Sequence, residues 1–88
     1  MTKILVVDED VAAREIVKNV IDFCFKGFSV AMAESGQDAL REFGADRPDL
    51  VITSLDIERA RAGIELARKI KEVSPLTPVI MLSNSRPA

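Results

Sequence analysis

The chain has 88 residues, enough for one small domain spanning residues 1–88. With 48% hydrophobic and 30% charged residues, it has the composition of a folded protein rather than of a disordered one. Its net charge of −2 without a basic stripe argues against nucleic-acid binding, and the absence of histidine excludes histidine-based acid–base catalysis. No stretch resembles a signal peptide or is long enough to cross a bilayer, so we expect a reducing, cytoplasmic setting without membrane contact.

The first predicted strand, residues 3–7, ends in the three carboxylates Asp8, Glu9 and Asp10. In open α/β sheets, ligand-binding groups gather beyond the carboxyl ends of the strands. Carboxylates at such a place bind hard cations such as Mg²⁺ together with phosphate oxygens. The alternative is a solvated acidic turn that caps the following helix, and the three residues alone leave both interpretations open.

Apolar residues at helical spacing predict the first helix at residues 11–24. We expect its last residue, Cys24, to be a buried structural thiol, because it lies between two phenylalanines and the chain has no second cysteine. The apolar stripe on one face of this helix consists of Ile16, Val17, Val20, Ile21 and Cys24.

The rest of the chain alternates between strands and helices. Ser35 and Asp38 form a capping pair at the start of the second helix. The order βαβαβαβ predicts a mostly parallel sheet with right-handed crossovers. The later predicted elements are a strand at 28–33, a helix from residue 35, a strand at 50–55, a polar loop at 56–62, a helix around 63–73 and a strand at 78–82.

Five blocks stand in order along the chain, at residues 4–10, 33–40, 48–51, 63–66 and 78–83. In residue type, order and spacing they resemble the receiver domain of bacterial two-component response regulators. The resemblance implies an α/β, flavodoxin-like parallel sheet, here in the order 2-1-3-4. The chain stops before the family's fifth strand, its lysine and the last two helices, so we expect a truncated, atypical receiver. In such a receiver the fourth strand would be a bare edge, and part of the Ile16/Val20 stripe of the first helix would be uncovered.

The resemblance also implies a mechanism. In the family, an aspartate at the end of the third strand accepts a phosphoryl group from a histidine kinase, and Mg²⁺ held by an acidic pair neutralises the transferring oxygens. The acidic pair corresponds to Asp8 and Glu9, and the switch hydroxyl to Ser83. We expect Mg²⁺ binding to be weak at most, because only two carboxylates are in place.

The acceptor position departs from the family pattern. Counted from Asp49, it falls at Ser54, a neutral residue that is a poor nucleophile without a base. Asp56 is the alternative acceptor, but it requires a shifted register in the loop. We therefore predict a non-enzymatic signalling module without catalytic residues, deficient in phosphorylation, which acts through contacts with a protein partner or histidine kinase and forms a homodimer.

Two other functions remain open at this stage. The first is a receiver that is phosphorylated on the non-standard Asp56. The second is a fragment of a haloacid-dehalogenase-like phosphatase, which the sequence Asp8-x-Asp10 after an apolar strand and the pair Ser83-Asn84 also resemble. The later lysine and acidic pair of those phosphatases have no counterpart in the chain.

Overall fold

The computed structural model describes residues 2–83. The strands form one parallel sheet in the order β2-β1-β3-β4, which confirms the expected flavodoxin-like arrangement. No helix within this range has the length and apolar character needed to cross a membrane. The elements are β1 (Thr2–Val7), α1 (Val11–Cys24), β2 (Phe28–Ala33), α2 (Gly36–Ala45), β3 (Leu50–Ser54), α3 (Ala62–Val73) and β4 (Val79–Leu82).

Alternate residues of each strand point to opposite sides of the sheet, so both faces carry apolar side chains. Helices pack against both faces. We call the side under α2 and α3 the closed face; there Leu5 and Val51 pack against Phe43 of α2 and Ile70 of α3. We call the side under α1 the open face. Its core cluster is smaller and consists of Ile4, Val6 and Ile21, with Val17, Phe28, Val30, Leu50 and Ile52 packed against it.

The apolar stripe of α1 has a packed part and an uncovered part in the structure. Ile21 is buried and Val17 packs against the core, whereas Ile16 and Val20 are exposed, as expected for the uncovered part of the stripe. Cys24 is also exposed, so the prediction of a buried thiol was wrong. The reason is that only Val17 and Ile21 of α1 pack against the open-face cluster, so the other large apolar side chains of this helix stay accessible to solvent. Elsewhere the predicted elements agree with the structure to within one residue at most strand and helix ends, and β3 ends at Ser54.

Candidate functional site

The ends of the four parallel strands form one edge of the sheet, which we call the carboxyl edge. β1 pairs Val7 with Ala33 of β2 and with Thr53 of β3, and β3 pairs Ser54 with Leu82 of β4. The residues that follow these strands therefore emerge at the same edge. All the residues that the resemblance implicates lie there, namely Asp8, Glu9, Ser54 and Ser83.

Asp8 is held by both its main chain and its side chain. Its amide donates to the Ala33 carbonyl of β2 at 3.1 Å, and its carbonyl accepts from Arg14 Nη1 at 2.6 Å. Its Oδ1 accepts from the Asp10 amide at 3.0 Å. The carboxylate is thus fixed at the start of the β1–α1 turn, with one oxygen already engaged in that turn.

Asp10 is the N-cap of α1. Its side chain accepts from the Ala12 amide at 2.9 Å, a favourable arrangement for a carboxylate at a helix N-terminus. The two interpretations of the acidic sequence therefore apply to different residues: Asp10 caps the helix, whereas Asp8 and the exposed Glu9 stand at the strand end. The cap also engages one of the two aspartates on which the phosphatase alternative depends.

Ser54 is the last residue of β3 and is buried. Its Oγ donates to the Asp56 carbonyl at 3.0 Å. Its own carbonyl accepts from the Thr53 hydroxyl at 3.0 Å. The Ser54 hydroxyl proton is therefore directed into the loop that follows the strand, and not toward an incoming group.

Asp56 lies beyond the end of β3, in the exposed part of the β3–α3 loop (residues 55–61). Its Oδ1 accepts from the Arg61 amide at 2.7 Å. Arg61 precedes α3 with φ 64° and ψ 16°, a left-handed conformation that residues other than glycine adopt infrequently. The Asp56 carboxylate thus supports the turn from which α3 starts.

Gly63 sets the distance between α3 and the end of β3. Its amide donates to the Leu55 carbonyl at 2.8 Å. A Cβ at this position would collide with the Ser54 carbonyl oxygen and lie 3.0 Å from Leu55 Cα. Only glycine permits so close an approach of helix and strand.

Ser83, the residue at the predicted switch position, follows β4 and is exposed.

The donor set at the carboxyl edge does not fit a dedicated Mg²⁺ site. Within residues 2–83, no group of three or more His, Cys, Asp or Glu side chains is arranged to hold a metal ion. The edge offers the carboxylates of Asp8 and Glu9, and Ser54 contributes a neutral hydroxyl. Mg²⁺ needs near-octahedral oxygen ligands and favours carboxylates, which this edge supplies only in part.

An exposed ion pair connects the β3–α3 loop to α3. Arg59 Nη2 donates to Glu65 Oε2. This hydrogen bond, together with the positive charge of Arg59, lowers the pKa of Glu65, and the same bond raises the pKa of Arg59. Because both side chains are exposed, water and salt screen the pair and its contribution to stability is small.

Two residues of the β3–α3 loop make contacts that sequence reasoning missed. Ile57 is completely buried in the core of the closed face. Glu58 Oε1 accepts from the Gly36 amide, at the start of α2, at 3.0 Å. An isoleucine between the two charged residues Asp56 and Glu58 was an available signal for the burial of Ile57. Glu58 carries no such signal, because its partner lies 22 residues away in the sequence.

The surface of the described residues has clefts beside the helices. One, of about 410 Å³, lies between α1, β2 and α2. Another, of about 330 Å³, lies between α2 and α3. Neither is lined by Asp8, Glu9 or Ser54, so neither enlarges the site at the carboxyl edge.

Solved structures share this fold at moderate sequence identity. A response regulator receiver domain protein from Clostridium thermocellum superposes with a TM-score of 0.83 and 29% identity, covering 94% of this chain and 65% of that one. The response regulator TrrA from Thermotoga maritima, solved in complex with Mg(2+)-BeF, gives a TM-score of 0.85 and 29% identity, covering 97% and 71%.

Sequence comparison points to the same family. The response regulator receiver domain family matches residues 4–87. The response regulator MprA of Mycolicibacterium vanbaalenii is 37% identical over 82 residues, which are 92% of this chain and 34% of that protein. The chain thus spans about a third of the length of the curated relatives it matches. These matches are response regulators, and they give no support to the phosphatase alternative. The chain belongs to the receiver domain family of two-component response regulators.

Proposed function

We propose that this receiver domain works without phosphorylation and signals through protein contacts, with a histidine kinase or another protein of the pathway as its partner in the cytoplasm. Ser54 at the acceptor position is the observation that carries the proposal. Its hydroxyl is buried, is neutral and donates its proton to the Asp56 carbonyl. The chain contains no histidine that could act as a base to activate it.

Phosphorylation on Asp56 is the alternative, and the loop geometry disfavours it. The Asp56 carboxylate accepts from the Arg61 amide, where it supports the left-handed turn before α3. A phosphoryl group on that oxygen would remove this acceptor and disturb the start of the helix. Asp56 also lies two residues past the end of β3, away from the strand position that faces Asp8.

We further propose that Mg²⁺ binds weakly at most, through Asp8 and Glu9. One Asp8 oxygen is already engaged by the Asp10 amide, and the third position holds a serine. A substitution of Ser54 by aspartate would add a third carboxylate and should strengthen Mg²⁺ binding.

Intact-mass measurement after incubation with acetyl phosphate and Mg²⁺ tests the proposed deficiency. The wild-type mass should stay unchanged. Ser54→Asp serves as the comparison, because it restores the acceptor carboxylate that the family uses. A gain of one phosphoryl group by the wild type, mapped to Asp56 or Asp8 and lost in Asp56→Asn or Asp8→Asn, would contradict the proposal.

Self-association is the second proposal, and the open face supports it. Ile80 and Leu82 of β4 are 48% and 46% exposed, and Ile16 and Val20 of α1 are exposed as well. β4 is also an edge strand of the described sheet and contains no charged residue. We propose a second copy as the occupant, because pairing of two β4 edges would extend the hydrogen-bond ladder and the apolar face in one symmetric contact.

Light scattering across a concentration series tests this association. Leu82→Lys should shift the population toward the monomer, because it places a charge within the apolar contact. Leu76→Lys is the matched control, since Leu76 is equally apolar but lies outside the sheet, and it is almost fully exposed. A wild-type monomer at high micromolar concentration would contradict the proposal.

A further inference from the structure

Ser54 stands at one end of a chain of contacts that runs through the β3–α3 loop. Its hydroxyl donates to the Asp56 carbonyl at 3.0 Å, and the Asp56 side chain accepts from the Arg61 amide at 2.7 Å. The first bond fixes the main chain at the start of the loop. The second fixes the main chain at the end of the loop, just before α3. One residue, Asp56, therefore links both ends of the loop to the buried end of β3.

The middle of the same loop is attached to the closed face. Ile57 inserts fully into the core, and the next residue, Glu58, accepts from the Gly36 amide in the first turn of α2 at 3.0 Å. Because Asp56 directly precedes Ile57, a movement of the Asp56 carbonyl would be transmitted to both contacts. The loop and the start of α2 thus form one connected unit.

We propose that Ser54 acts as a conformational latch, whose donated hydrogen bond holds the loop in one arrangement and keeps Glu58 at the start of α2. Aspartate at this position could not replace the bond, because its carboxylate oxygens would face the Asp56 carbonyl oxygen and repel it. The serine thereby fixes the conformation of the surface that the β3–α3 loop forms with the start of α2. This inference concerns the conformation of the loop and is independent of whether the chain accepts a phosphoryl group.

Amide hydrogen exchange measured by NMR tests the latch. In Ser54→Ala, the amides of Arg61 and Gly36 should exchange about fivefold faster, as expected for the loss of one ordinary hydrogen bond from a local opening equilibrium. The Phe25 amide, bonded to the Ile21 carbonyl at the far end of α1, should keep its rate. Ser74→Ala is the control, because it removes a similar hydroxyl contact, to Thr77 at 2.7 Å, away from the loop.

Ser54→Thr separates the hydroxyl from the volume of the side chain, since it retains the donor and should keep the Arg61 and Gly36 rates near those of the wild type. Ser54→Cys has nearly the size of serine but a weak donor, so it should resemble Ser54→Ala and replaces that variant if alanine prevents folding. Equal exchange at Arg61 and Gly36 in the wild type and in the donor-deficient variant would overturn the latch. Because no phosphoryl donor is present, this result would leave the proposed function untouched.

Discussion

On the closed face, α2 and α3 bury Leu5, Val51 and Ile70 completely, whereas on the open face α1 leaves Ile16 62% exposed. Both faces belong to the same four strands and alternate residue by residue along them. The difference shows that the apolar content of a helix does not by itself decide how much of that helix is buried. The closed face has the larger buried core, and the open face has apolar surface available for association.

The largest expected effect comes from removing the same side chain on each face. Ile70→Ala in α3 should lower the free energy of unfolding by about 3 kcal/mol, because it leaves a cavity in a packed core. Ile16→Ala in α1 should change it by less than about 0.5 kcal/mol, since most of that side chain is already in water. Urea unfolding of both variants measures the difference. Equal losses of unfolding free energy would show that the two side chains are equally packed, which would contradict the difference between the faces.

Substituting two glycines by alanine tests how tightly the closed face is packed where α3 meets β3. Gly63→Ala should destabilise the chain by about 2 kcal/mol, because its Cβ would collide with the Ser54 carbonyl. Gly44→Ala in α2 should stabilise it by about 0.5 kcal/mol, since a Cβ there meets no atom within 4 Å and alanine favours a helix. Thermal unfolding distinguishes the two, and a neutral Gly63→Ala would mean that α3 can move away from β3.

The smallest effect concerns the exposed pair of Arg59 and Glu65. The pKa of Glu65 is lowered in the folded state, mainly by its hydrogen bond to Arg59. A lowered carboxyl pKa adds stability above the ordinary carboxyl range, and this contribution disappears as the pH falls through the lowered value. The stability difference between wild type and Glu65→Gln should therefore shrink on acidification and in high salt.

Glu72→Gln serves as the control for that measurement, because it removes the same charge from the same helix. Urea unfolding at neutral and at acidic pH provides the comparison. A difference for Glu65→Gln that grows as the pH falls would contradict the assigned sign.

The fold could be predicted from the sequence largely because strand ends are marked by abrupt changes in residue type. The apolar run before Asp8 and the cap at Ser35 each define a boundary, and Ser35 Oγ accepts from the Asp38 amide as expected. The exposure of Cys24 could not be predicted in this way, because periodicity identifies the apolar side of a helix but not what packs against it. The contact of Glu58 with Gly36 depends on tertiary structure and leaves no trace in either local sequence.

The acceptor position was identified from the resemblance, but its chemistry required the structure. That residue 54 is a serine is plain from the sequence, whereas the direction of its hydroxyl toward the Asp56 carbonyl is not. The hydrogen bond from the Arg61 amide to Asp56 could not be predicted either. It depends on a left-handed turn at Arg61, and the sequence has no glycine there to indicate such a turn.

The central claim, that the carboxyl edge is built without a working phosphoacceptor site, is tested most directly by an NMR titration with Mg²⁺ and beryllofluoride, a mimic of the phosphoryl group. In the wild type, beryllofluoride should add no saturable change at the amides of residues 54–61 and of Asp8 to the shifts that Mg²⁺ alone produces. Ser54→Asp, under the same conditions, shows whether a carboxylate at this position is sufficient to restore binding. Saturable shifts of these amides that require beryllofluoride in the wild-type chain would contradict the account.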